Sequence, residues 1–203
     1  MSFALSRLCV KIFFSNIMKR IFVAVDISEE ARCKAAAYIE TLRNEFRAIR
    51  VGWDKPEKLH LTLKFLGDTD EKQLVELEKI AAEISAGITN FKLRIVNTGV
   101  FPNARSPRVL WIDVEDERSG LAKINNRLEA DCEKIGFARE RRAFVPHLTI
   151  GRVREPNKAR ELANKHLQNG FEPVGFMVSE IVIYESKLLP AGSVYSVVSK
   201  HTL

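Results

Sequence analysis

Two short stretches of this chain share one pattern. Leu59-His60-Leu61-Thr62-Leu63-Lys64-Phe65 and Pro146-His147-Leu148-Thr149-Ile150-Gly151-Arg152 each place a His and a Thr two residues apart between apolar neighbours. Side chains alternate faces along a strand, so His60 and Thr62 share one face while Leu61 and Leu63 take the other. His147 and Thr149 stand in the same relation to Leu148 and Ile150. A strand that is apolar on one side and shows His and Thr on the other reads as part of a site. By the same parity Lys64 falls on the His60 face. Arg152 falls on the wrong face for His147 unless the strand ends or bulges near Gly151.

The two stretches belong to a longer repeat. His147 follows His60 by 87 residues (147 minus 60). The same shift carries Ile21–Asp26 onto Arg108–Asp113 and Phe91–Asn97 onto Val178–Tyr184, both apolar strand candidates. Helical periodicity fills the gaps between them. Ser28 caps a helix with Ala31, Ala35, Ile39 and Leu42 on one side, running to about Phe46. Asp70 and Gln73 make a capping box before Leu74, Leu77, Ile80 and Ile84, and Gly87 stops that helix. Ser119–Ile135 and Asn157–Gln168 are the corresponding helices of the second half. Gly52–Lys58 and Gly99–Pro107 read as loops, Phe176–Tyr184 as one strand, and Ser193–Leu203 as an added strand. The expectation is an α+β fold: a duplicated βαβαβ unit forming two pseudo-symmetric lobes, with the two HxT strands brought to one cleft.

Composition narrows the class. The 203 residues, 46% hydrophobic and 29% charged, suit a single globular domain. We expect that domain over residues 18–203, with repeat halves at about 20–100 and 107–190. Residues 1–17 are expected to be an extension, disordered or not translated, with Met18 as a natural start. No apolar run approaches the roughly 20 residues that span a bilayer. Cys9, Cys33 and Cys132 are odd in number and far apart, which indicates neither a disulfide framework nor a zinc site and suits reduced thiols in the cytoplasm. A net charge of +6 favours, mildly, a polyanionic partner such as RNA.

Two histidines in one cleft suit general acid–base chemistry, because unperturbed imidazole titrates near pH ~6.5. A phosphodiester between them is a good match. One imidazole takes a proton from the attacking oxygen, the other gives one to the leaving oxygen, and the Thr62 and Thr149 hydroxyls donate to the non-bridging oxygens. The residues alone leave open which His plays which part. A lone HxT is more often a satisfied core histidine; the matched pair turns that reading around. His166 on a helix and His201 near the C-terminus read as surface residues. Phe22 and Phe101 are candidates to stack a terminal base, with core packing as the plainer role for Phe22. Arg139, Arg141 and Arg142 form a basic loop that either grips an RNA backbone or is simply solvated. Asp26 and Asp113 end matching strands without metal-ligand spacing.

HLTLKFLG at 60–67 and PHLTIGRV at 146–153 resemble the paired HxTx signatures of the 2H phosphoesterase superfamily. RIFVAVDI near the start, RVLWIDV in the middle and YESKLLPAGSVY near the end resemble its RNA 2′,3′-cyclic phosphodiesterase branch, also described as 2′-5′ RNA ligase-like. The resemblance covers about residues 18–203. It implies a bilobed fold with antiparallel sheets about a cleft. It implies hydrolysis of RNA 2′,3′-cyclic phosphate ends, tRNA fragments among them, to 2′-phosphomonoesters by a cytoplasmic monomer without metal or other cofactor. It also implies roles: His60 as proton donor, His147 as proton acceptor, Thr62 and Thr149 as phosphate holders, and Arg152 as a substrate-binding cation. Two other readings stand beside it: ATP-independent 2′-5′ ligation, since no GxxxxGK[ST] loop exists, and an RNA-binding module without catalysis.

Overall fold

The computed structural model describes residues 18–190 and 192–203. The expected extension at 1–17, with its start-site question, lies outside the described residues. Among the described residues nine strands and four α-helices follow in order: β1 Lys19–Asp26, α1 Glu29–Glu45, β2 Val51–Trp53, β3 His60–Thr69, α2 Glu71–Ala86, β4 Phe91–Phe101, β5 Val109–Glu115, α3 Gly120–Lys134, β6 His147–Val153, α4 Arg160–Asn169, β7 Val174–Val178, β8 Glu180–Leu189 and β9 Gly192–Thr202.

The helix signals act as their chemistry dictates. Ser28 accepts a hydrogen bond from the Ala31 amide, and Asp70 with Gln73 closes a capping box. Ser119 does not cap α3: it sits at φ 53°, and Asp116 accepts the Gly120 and Leu121 amides in its place. Gly120 is required there, because a Cβ would stand 2.6 Å from the Phe91 ring.

The strands form one antiparallel sheet in the order β7-β4-β5-β6-β3-β1-β8-β9, with short β2 added against β6. The duplication is written in that order. Under the 87-residue shift β1 becomes β5, β3 becomes β6 and β4 becomes β8, so β4-β5-β6 and β8-β1-β3 are mirror-ordered halves meeting at the two HxT strands. Strands β3 and β6 meet at one register pair, Leu61 with Leu148, and β2 of the first repeat adds three more pairs against β6. The sheet also curls, because only Ser179 separates β7, at one edge, from β8, next to the other edge.

Helices cover one face. Ile21, Val23, Val25, Leu61, Leu63, Leu93, Ile95, Leu110, Ile112, Leu148, Ile150, Ile181 and Ile183 point to them and make one core with Ala31, Leu42, Leu77, Ile84, Leu121, Leu128 and Leu162. This burial supplies the main stabilisation. The opposite, concave face carries the HxT residues. Among the described residues no helix is long and apolar enough to cross a membrane.

The structure corrects four local readings. Val51–Trp53 is a strand and not part of a loop, and Gly99–Phe101 continues β4. Phe176–Tyr184 is two strands broken at Ser179, each pairing with a different half. His166 is not on the surface: it is 0% exposed on α4, with Nε2–H directed at the Gly99 and Trp111 carbonyls and Nδ1 accepting from the Tyr38 hydroxyl at 2.9 Å. It ties α4 to α1, β4 and β5. Helical periodicity could not distinguish it from a solvent-facing residue, because its partners come from three distant segments.

Candidate active site

The HxT strands lie side by side at the middle of the concave face. In the antiparallel register set by Leu61 and Leu148, His60 comes beside Thr149, and Thr62 beside His147. The two imidazoles therefore stand at opposite corners of a four-residue patch, with the two hydroxyls at the other corners. Cross-strand diagonals in a sheet are about 7–8 Å between Cα atoms, a span that leaves room for one phosphate between side chains.

Both rings are oriented by the same local device. His60 Nδ1 lies 2.6 Å from the Lys58 carbonyl and His147 Nδ1 lies 2.7 Å from the Val145 carbonyl, each two residues upstream. A carbonyl only accepts, so Nδ1 carries the proton in each ring and Nε2 is the atom left to gain or lose one. His60 Nε2 is 3.1 Å from the Thr62 hydroxyl.

Aromatic rings back both histidines. Phe22 stacks on His60 with centroids 4.9 Å apart, and Tyr184 and Tyr195 complete that wall. Phe101 meets the His147 ring edge-on at 5.1 Å, with Trp111 behind it. Phe22 does not take the candidate base-stacking role. The residue is 0% exposed, its ring covered by His60, Phe65, Tyr184 and Tyr195, so it supports the imidazole and offers no face to a base. Phe101 is partly exposed and keeps an accessible side.

Burial sets the titration of the pair. It pushes His60 down to about 4, opposed by the Lys58 carbonyl and the Asp26 carboxylate and assisted by the Arg152 and Arg32 cations. It also lowers His147, opposed by the Val145 carbonyl and assisted by Arg152. Both imidazoles are thus neutral in the free protein near pH 7.

Two bulges decide which charged residues reach the cleft. In β6, Thr149 pairs with Trp111 and Gly151 with Leu110, so Ile150 is an extra residue. The bulge anticipated near Gly151 exists, and it returns Arg152 to the face of His147 and Thr149. Arg152 Nη1 is 3.1 Å from Asp54, leaving its other N–H groups exposed. Burial raises Asp54, with Arg152 and Lys58 pulling the other way. In β3, Thr62 pairs with Ala24 and Lys64 with Val23, so Leu63 is the extra residue. Here the parity reading fails. Lys64 turns away from His60, is 4% exposed, and donates to Glu129 of α3 at 2.6 Å and to the Ala138 carbonyl at 3.2 Å. Phe65 takes its place on the concave face, 54% exposed and stacked on Phe22 at 5.3 Å. Sequence parity missed Phe65. The signal that finds it is the repeat itself, since Phe65 and Arg152 are 87 residues apart.

The basic loop at 139–142 is exposed, and Arg139 and Arg142 pair with Glu133 and Glu140. His201 lies on β9, away from the paired strands, and is partly buried. Among the described residues no group of three His, Cys, Asp or Glu side chains is arranged to hold a metal ion.

Known proteins resemble this chain in sequence and fold. The model of the 2′-5′ RNA ligase superfamily matches residues 31–188. A protein of Methanothermobacter thermautotrophicus named RNA 2′,3′-cyclic phosphodiesterase is 37% identical over 179 residues, covering 87% of this chain and 95% of its own. One of the same name from Thermotoga maritima is 35% identical, covering 88% and 92%. Among solved structures, a Thermus thermophilus protein superposes with a TM-score of 0.76 at 28% identity, covering 91% of this chain and 97% of that one. Escherichia coli LigT in its apo form gives 0.67 at 23% identity over 92% and 98%, a likeness of fold.

Proposed function

The chain belongs to the 2′-5′ RNA ligase superfamily, and on that premise we propose that it hydrolyses 2′,3′-cyclic phosphodiester ends of RNA to 2′-phosphomonoesters, with His60 and His147 as acid and base. The observation that carries the reading is the matched tautomer: each Nδ1–H is tied to the carbonyl two residues back, and each Nε2 is left to handle a proton. The relatives' shared name, RNA 2′,3′-cyclic phosphodiesterase, supports the substrate class.

In the proposed reaction the cyclic phosphate lodges between the imidazoles. His147 Nε2 takes a proton from water as its oxygen forms a bond to phosphorus. The P–O3′ bond breaks, and His60 Nε2–H protonates O3′. The products are a 2′-phosphate and a free 3′-hydroxyl, and the two rings have exchanged protonation states. Thr62 and Thr149 donate hydrogen bonds to the non-bridging oxygens and Arg152 adds a cation, where negative charge must be held. Burial keeps His60 neutral in the free protein. The substrate's negative charge offsets that desolvation, so the imidazolium forms in the complex. The exposed side of Phe101 gives a terminal base a ring to stack on.

The test is incubation of the protein, in EDTA, with an oligonucleotide that ends in a 2′,3′-cyclic phosphate. The expected product is the same strand plus one water, with its phosphate on the 2′ oxygen. A longer strand would mean ligation, and an unchanged one would mean binding alone; either result overturns the hydrolytic reading.

A further inference from the structure

His60 and His147 hold equivalent places in a duplicated fold, yet the proposed reaction needs one to give a proton and the other to take one. Each has an aspartate directly across the sheet: Asp26 pairs with His60, and Asp113, 87 residues later, pairs with His147. The two aspartates are held differently. Asp113 Oδ1 accepts the Val114 amide at 2.8 Å, which turns it onto its own backbone. Asp26 Oδ1 accepts the Tyr184 hydroxyl at 2.7 Å, and the Tyr184 ring lies 6.1 Å from that of His60. The residue 87 positions before Tyr184 is Asn97, at a bulge in β4 with φ 38°. The second half therefore has no phenol in that place to hold its aspartate.

We propose that Asp26, anchored by Tyr184, breaks the equivalence of the two halves and makes His60 the proton donor. The inference rests on the two-histidine reaction above. Asp26 acts through His60 and is a positioning residue. Directly opposed residues in an antiparallel pair have Cβ atoms about 5 Å apart, and a carboxylate at that range favours an imidazolium. The other groups facing His60 do not supply this. Lys58 offers its carbonyl from the preceding turn. Arg32 of α1 and Arg152 of β6 are cations and disfavour the charged ring. Tyr184 of β8 and Tyr195 of β9 are neutral phenols, Thr62 is a hydroxyl, and Asp54 is engaged by Arg152. His147 faces the Arg152 cation and the Val145 carbonyl, and its own cross-strand Asp113 is engaged by the Val114 amide.

The test is the pH dependence of kcat at saturating cyclic-phosphate oligonucleotide, whose basic limb reports loss of the donor's proton in the complex. Asp26→Asn keeps an acceptor for Tyr184 and removes the charge. It should move the basic limb about one pH unit lower, a loss of about tenfold on that limb. Tyr184→Phe, which frees the carboxylate, should move it the same way, and Asp113→Asn should leave it in place. If Asp26→Asn lowers the rate equally at every pH, or if Asp113→Asn moves the limb as far, the proposal is wrong while the reaction stands. An active His60→Ala would overturn both.

Discussion

Leu63 and Ile150, 87 residues apart, are each the unpaired residue of a β-bulge immediately after an HxT threonine. The paired bulges re-aim the next residues of both strands. They bring Arg152 onto the concave face in one half and Phe65 in the other, and they bury Lys64. Arg152 should accordingly act on substrate. Arg152→Ala should lower kcat/KM by about 10- to 100-fold, the range of one charge-assisted contact, and Arg152→Lys should recover part of it. Steady-state kinetics at fixed low salt checks this.

Lys64 should act on stability alone. It is buried against Glu129, with side-chain exposures of 2% and 14%. Removing one partner leaves an uncompensated buried charge, so Lys64→Ala should destabilise the fold by roughly 3–5 kcal/mol. The double variant Lys64→Met with Glu129→Leu should restore most of that. Urea unfolding measures both, and activity per folded molecule should match the parent protein.

His166 is a second buried tie. Its ring holds the Tyr38 hydroxyl and the Gly99 and Trp111 carbonyls. His166→Ala opens a cavity and strands these groups, for an expected loss of about 2–4 kcal/mol in urea or thermal unfolding.

Much of this was legible in the sequence because duplication states each signal twice. The strand pairs, the helices between them and the HxT strands all obey one shift. Other features were not legible, each for a physical reason. Alternation along a strand assumes a regular ladder, and nothing in Leu63 or Ile150 announces a bulge, so parity puts Lys64 on the wrong face. His166 depends on three carbonyl or hydroxyl partners from distant segments. The break at Ser179 arises because β7 and β8 serve opposite halves of the sheet, a tertiary demand that local composition does not carry. Phe22 has the residue type of a stacking platform, but its neighbours cover it.

The low titration of His60 links to stability. Its folded value, about 4, lies below the ordinary value of about 6.5, so the unfolded chain binds the proton more tightly. Stability from this group is present above pH ~6.5 and is lost as pH falls toward 4. Between pH 7 and pH 5 the wild type should lose roughly 2 kcal/mol more than His60→Gln, which lacks the titration. Urea unfolding of both proteins at the two pH values reads the difference.

The central claim is that two imidazoles act across a phosphodiester, one taking a proton from water and the other giving one to O3′. Single-turnover hydrolysis of a cyclic-phosphate oligonucleotide by His60→Ala and by His147→Ala tests it most directly, with circular dichroism confirming the fold of each. General acid–base groups typically contribute 10²- to 10⁴-fold, so each variant should fall to about one hundredth of the parent rate or below. Retention of more than about a tenth of the rate by either folded variant would contradict the account.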